Sequence, residues 1–489
     1  MDEPQNKNYV NSNPPTPLPD WRNGATFGFA LVLSLLYWAV FSLDAIFMGG
    51  FGPGLGVPVF VSAFFAAVLV TLGKKTRWQT DGIFLMAVAV LLSACCALYA
   101  YDPLMVLNCF IILATASLAT FSLSGHLRSS AFTLRALSDT VRLFFIALFG
   151  RIDRPFRLLG SVRKERRGTL RLALITAAVT VLLLGVVLAL LASADTVFGG
   201  LLPEVHIELS GEFIWKTART LALFFLSGLF FIREPAAEDK APQRARRERH
   251  IPPFLLPVCA LDAIYLVFCA VQLRYLFGGA EAASMAGGWA EYARTGFFQL
   301  VAVAAINLAL CLAGADRERF AKKGGLALRV ADALMLALTA VILLSAARRM
   351  QLYILAFGMS VLRIMTLWGM LIIAAGLLMA GWKLFKPEFP FARWFGMLTL
   401  GAWCVFCLAS PAGMVANYNV NAYLDGRLNT VDVPYLQSLT TDAAPALKRL
   451  EANDSRYASR ARATLEYFST DDYDITWAQL KGSFLYLDK

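Results

Sequence analysis

The sequence predicts an all-α protein, a polytopic transmembrane helical bundle of about eleven spans with a small helical extracytoplasmic C-terminal domain. Two observations predict the bundle. Hydrophobic residues fill 58% of the 489 positions and charged residues only 16%, whereas a soluble domain has about 45–50% apolar and about 25% charged residues. The apolar residues also gather into many runs near the length of about 18 or more residues that a membrane helix needs. A third observation predicts the domain: past Gly413 the apolar runs stop and acidic residues return.

Residues 1–24 read as a disordered cytoplasmic leader. Pro14, Pro15, Pro17 and Pro19 break any helix there. A cleaved signal would set basic residues directly before a short apolar core, and this leader does not. Residues 25–122 hold four spans, about Ala25–Met48, Val57–Gly73, Ile83–Ala100 and Pro103–Ser122. The run "GGFGPGLG" between the first two lacks the preceding strand and the Lys of a phosphate loop, so it reads as a hairpin connection.

Residues 123–171 form a cytoplasmic segment. Within Ala131–Gly150, Arg135, Asp139 and Arg142 recur at helical spacing among apolar residues, the pattern of an amphipathic helix on the membrane surface. The alternative, a twelfth span, would bury these three charges. Arg151, Arg154, Arg157, Arg163, Lys164, Arg166 and Arg167 follow, a cluster suited to anionic lipid headgroups.

Residues 172–413 form a seven-span core: about Leu172–Ala194, Ile214–Ile232, Pro252–Gln272, Tyr292–Gly314, Leu326–Ala347, Met359–Phe385 and Phe395–Gly413. Lys and Arg crowd alternate connections, at Lys74–Arg77, Arg244–Arg249, Arg317–Lys323 and Lys383–Arg393. The loops near Gly52, Asp102 and Pro203 have none. The positive-inside rule then puts the N-terminus in the cytoplasm, and eleven crossings put the C-terminus outside. This topology and anionic lipid account for the net charge of +11, so nucleic acid is not an expected partner. Residues 414–489 form the extracytoplasmic tail domain. Pro434 and Pro445 set helix starts, and Tyr435, Leu439, Leu447 and Leu450, then Tyr457, Ala461, Leu465 and Phe468, share helical faces.

No cofactor and no metal site are implied. All eight cysteines lie in apolar runs and read as packing residues, and His126, His206 and His250 are far apart. A hydrolase needs a Ser/His, two-Asp or zinc constellation at one depth, and Asp262 stands alone in its span. An intramembrane enzyme is therefore the third reading. Asp332 follows Arg329 by three residues, an intrahelical pairing distance.

The candidate site is a set of charges at the outer ends of spans, where the positive-inside rule leaves few. Glu291, Tyr292 and Arg294 open one span. Arg348, Arg349 and Tyr353 follow another, and Arg363 lies about one turn inside the next. A charge within a span costs about 2.5–3.5 kcal/mol on insertion scales, so Arg363 needs water or an acceptor. Arg349, Tyr353 and Arg363 fall on one stripe if this segment is one continuous helix. The arginines suit an anionic or lipid-like ligand, bound or transported, with Glu291 and Tyr353 orienting them. The alternative is a sensor or assembly scaffold whose outside domain binds a protein partner, the arginines tethering it through Asp432, Asp442 or the Asp471–Asp474 cluster.

The stretches "EYARTGFFQL", "RRMQLYILAFGMSVLR", "SADTVF" and "NYNVNAYLDGRLNTVDVPYLQSLTTDAAPAL" resemble bacterial membrane proteins of domain-of-unknown-function family 4173 and the related family 4153, over most of the chain from about Leu172. The resemblance implies a multi-span bacterial inner-membrane protein. It implies no catalytic residues.

Overall fold

The computed structural model describes residues 32–33, 54–125, 127, 130–133, 136, 138, 140, 252–277, 297–318 and 325–470. The first span, the surface helix, the fifth and sixth spans, Glu291, Tyr292, Arg294 and the Asp471–Asp474 cluster lie outside the described residues, apart from isolated positions.

Among the described residues the secondary structure is helical. Eight helices precede residue 410 among these residues: α1 (Gly56–Leu72), α2 (Thr80–Leu98), α3 (Asp102–Leu123), α4 (Pro252–Phe277), α5 (Phe297–Glu318), α6 (Gly325–Phe357), α7 (Val361–Phe385) and α8 (Phe391–Leu408). Four shorter ones follow: α9 (Pro411–Leu424), α10 (Val433–Ser438), α11 (Ala444–Asn453) and α12 (Ser455–Thr470). Five of them, α2, α3, α6, α7 and α8, are long and apolar enough to cross a membrane. On α7, Leu371, Leu378 and Phe385 repeat every seven residues and are each at least 66% exposed. Such a stripe is costly in water and suits hydrocarbon.

Proline and glycine mark the boundaries as local chemistry requires. Pro411, Pro434 and Pro445 fall in the first turns of α9, α10 and α11, where a missing N–H costs no helical hydrogen bond. Helix α6 runs ten residues past the apolar stretch that ends at Ala347, because "RRMQLYILAF" favours helix even where it is polar. Its 33 residues span about 50 Å at the standard rise, against about 30 Å of hydrocarbon. It stops at Gly358, whose φ of 75° ends the helix. The segment is therefore two helices rather than one, and the single stripe through Arg349, Tyr353 and Arg363 is replaced by a turn.

The helices alternate between two ends of the bundle. At the capped end, α9–α12 cover the α2–α3, α6–α7 and α8–α9 connections. At the basic end lie Lys74, Lys383, Lys386 and Arg393. The core is in two parts. One joins α1, α2, α3 and α8 to the C-terminal helices through residues such as Leu92, Val415, Leu439 and Leu447. The other joins α4, α5, α6 and α7 through Cys269, Leu308, Ile342 and Leu377. Met359, at the α6–α7 turn, packs against both, and Trp368 of α7 packs on the first, its ring 5.0 Å from that of Trp403 on α8.

Candidate functional site

The break between α6 and α7 decides what happens to Arg363. The chain turns back at Gly358, which brings the guanidinium over the Tyr353 ring, 4.1 Å from its centre. Its Nη1 donates to the carbonyls of Phe357, at 3.2 Å, and of Gly358. Those carbonyls are the unsatisfied C-terminal acceptors of α6, where the helix dipole also favours a cation. Arg363 is thus the cap of the preceding helix. Its own backbone N–H donates to Ser360 Oγ, the N-cap of α7, at 3.3 Å.

Arg348 is exposed and donates from Nη1 to Gln351 Oε1 at 2.8 Å. Arg349 is half-buried one turn before Tyr353, which packs on Phe357 with ring centres 5.2 Å apart. Of the seven sequence-predicted residues, then, Tyr353 and Arg363 meet, while Arg348 and Arg349 stand on the last turns of the same helix.

Sequence reasoning missed what holds this turn. Asn419 of α9 donates from Nδ2 to Met359 O at 2.9 Å and accepts from Met359 N–H at 2.7 Å, a reciprocal amide pair. A Cβ at Gly358 would lie 2.7 Å from Asn419 Oδ1, so glycine is needed for space as well as for φ. Tyr435 of α10 accepts from Val361 N–H at 3.0 Å. Asp442 accepts from Ala100 N–H at 3.1 Å and Tyr101 N–H at 3.2 Å, at the turn between α2 and α3. Asp432 caps α10 through Tyr435 N–H at 3.0 Å. Both aspartates thus accept from backbone N–H groups. Burial, with Tyr435 nearby, pushes the Tyr101 phenol up. Burial also raises Tyr435, opposed by its hydrogen bond from Val361. The only sequence signal for Asn419 was its place in "NYNVN", three amides at a spacing of two.

Among the described residues three buried aspartates lie elsewhere in the bundle, in two sets. Asp81, at the start of α2, accepts from Arg393 Nε at 2.7 Å, Ser130 Oγ at 2.6 Å and Ala131 N–H at 3.2 Å. Arg393 also donates to Thr80 Oγ1. This node joins α2, α8 and the segment after α3 at the basic end. The second set runs along the α4–α5–α6 interface. Tyr265 OH donates to Asn307 Oδ1, and Asn307 Nδ2 donates to Thr339 Oγ1, both at 2.9 Å. Toward the basic end of the same interface lie Asp262, Cys311 and Asp332, each at most 4% exposed. The spacing Asn307–Cys311–Gly314 puts small and polar residues on one face of an otherwise apolar helix, a signal legible in hindsight.

Cys404 and Cys407 are free thiols, as are the other six cysteines. Among the described residues no group of three His, Cys, Asp or Glu side chains could hold a metal ion.

No curated protein and no solved structure matches the chain. A family model does, over residues 86–450: Domain of unknown function (DUF4153). Of the two families that the sequence resembles, this is the second. The match begins well before Leu172 and takes in most of α2, all of α3, the Arg363 turn, α9, α10 and most of α11. The chain therefore belongs to the DUF4153 family, whose domain is found in bacterial membrane proteins.

Proposed function

We propose that this is a bacterial inner-membrane protein whose outer end binds an anionic or lipid-like group and transmits that binding to the extracytoplasmic C-terminal domain. Arg348 and Arg349 supply the charge-assisted donors. Glu291, Tyr292 and Arg294 belong to the same set, and the Arg363–Tyr353 stack is its fixed wall. One observation carries the reading. The turn that holds Arg363 is clamped by Asn419, and a neighbouring backbone N–H is taken by Tyr435. A ligand that moves the end of α6 therefore bears directly on the C-terminal helices. The same clamp favours a sensor or scaffold over a transporter, because it fixes the outer end of the α6–α7 hairpin. The basic connections support a cytoplasmic N-terminus and an external C-terminus.

Full-length protein in phosphatidylcholine nanodiscs, with and without phosphatidylglycerol as the anionic probe, tests the reading. Phosphatidylglycerol should slow amide hydrogen exchange at 358–361 and 433–450. The double variant Arg348→Ala/Arg349→Ala should lose that response at unchanged Tm. Exchange that ignores phosphatidylglycerol, or a double variant that responds like the wild type, would sink the proposal.

A further inference from the structure

We infer that Asp262 is a proton-binding site within the membrane, its carboxyl group taking up and releasing a proton at the interface of α4, α5 and α6. This is independent of the ligand reading above.

The inference starts from a contrast in hydrogen bonding. Asp81 is 5% exposed and has three donors. Asp262 is 4% exposed, and its Oδ1 is buried with no hydrogen-bond partner among the described residues. The cluster packed at this level of the interface is aliphatic: Val258 of α4, Ala331 and Met335 of α6, and Leu310 of α5, around Cys311. At Oδ1 a carboxylate placed there meets aliphatic surroundings and, among the described residues, no donor to offset desolvation, which favours the protonated form.

Titratable and charged groups come near it from each of the three helices. Among the described residues they are Cys311 from α5 and Asp332 from α6, with Arg329 one turn before Asp332 and Tyr265 one turn on from Asp262 itself. Both carboxyl groups lie within electrostatic reach of the Cys311 thiol. Two carboxyl groups sharing one apolar region disfavour double ionisation. Asp332 is pressed so tightly on α5 that a Cβ at Gly314 would lie 2.2 Å from its Oδ2. The site is therefore specific to glycine at that crossing. A metal cation would need a shell of several oxygens. A proton needs one.

The surroundings also offer a continuation. One turn toward the capped end, the Tyr265 hydroxyl, the Asn307 amide and the Thr339 hydroxyl form a connected chain that ends on Met335 O at 2.6 Å. Exchangeable protons thus follow one another at helical-turn spacing through the three-helix interface. Carboxyl groups so placed in membrane helices serve proton relays.

The test is infrared difference spectroscopy on full-length protein in phosphatidylcholine vesicles, wild type against Asp262→Asn. At neutral pH the wild type should show the carbonyl stretch of a protonated carboxyl. The band should be lost in Asp262→Asn, kept in Asp332→Asn and lost from the wild type on alkalinisation, equally in sodium and choline salts. Asparagine is the neutral isostere of the protonated carboxyl, so Asp262→Asn should also keep the wild-type Tm. Three results would each overturn the inference. The first is a carboxylate-only spectrum at neutral pH. The second is an Asp262→Asn protein that does not fold while Asp262→Glu does, since that means the charge is required. The third is a band that sodium removes at fixed pH, which means a cation site.

Discussion

Two regions of this bundle bury an aspartate in helical surroundings and treat it in opposite ways. Around Asp81, the chain brings a guanidinium, a hydroxyl and a backbone N–H from two distant segments onto one carboxylate. Around Asp262 it brings aliphatic side chains, the Cys311 thiol and one further carboxyl group, that of Asp332. The difference teaches that burial alone does not reveal what a charged residue is for. A fully satisfied carboxylate is a latch between helices. One left without donors is a group whose charge state is open to change.

The largest expected effect comes from breaking the latch. Asp81→Ala strands the half-buried Arg393 and removes the acceptor of Ser130 and Ala131. Loss of one partner of a buried pair costs about 3–5 kcal/mol, and the 35% exposure of the Arg393 side chain reduces this to about 2–3 kcal/mol through solvent screening. Thermal unfolding of the purified protein measures it. If Asp262→Asn destabilises as much as Asp81→Ala, the contrast between the two regions collapses.

The second effect sharpens the contrast from the α5 side. Gly314→Ala would put a methyl group into the space of the Asp332 carboxylate, an overpacking that costs about 1–3 kcal/mol. Gly401→Ala is the control, since its added Cβ would meet only Phe84 at 3.9 Å. Equal Tm values for the two variants would show that α5 and α6 can part without cost.

At the capped end, Asn419→Ala deprives the N–H and the carbonyl of Met359 of partners. Water reaches this part-buried turn, so the loss should be about 1–2 kcal/mol. Faster hydrogen exchange at Met359 and Val361, with α2 and α3 unchanged, is the expected signature. Uniform loosening would mean that the turn is not a separate unit.

The smallest effect is one of pH. The Tyr423 hydroxyl bonded to Asp454 holds that carboxyl below the usual aspartate range. A depressed folded value means that its stabilisation is complete above the ordinary value of about 3.9. It is lost as pH falls from there through the lowered one. Acid should therefore loosen the α9–α12 contact slightly before the membrane helices respond, and Tyr423→Phe should abolish that early step. A Tyr423→Phe protein with the same acid profile would remove Asp454 from the account.

How much of this was legible beforehand depends on the range of the interaction. Composition and run length predict membrane helices because hydrocarbon demands about the same apolar length of each one, whatever its neighbours. The helix starts at Pro434 and Pro445 were legible for a similar reason: proline acts on its own backbone. The apolar faces of the C-terminal helices could be read too, and Leu439, Leu447 and Leu450 are fully buried. Arg363 could be marked as a charge in need of an acceptor. That its acceptors are the carbonyls of Phe357 and Gly358 depends on a chain reversal at Gly358, and no periodicity encodes a reversal. Asp442 reaches Ala100 across more than 300 positions, and Arg393 reaches Asp81 across a similar separation. Asp262 stood inside a predicted span, whereas Asp81 lay two residues before the span read as Ile83–Ala100 and falls in the first turn of α2. Only the tertiary structure decided which one would meet an arginine, because hydrogen bonds act over about 3 Å and the chain brings their donors from elsewhere.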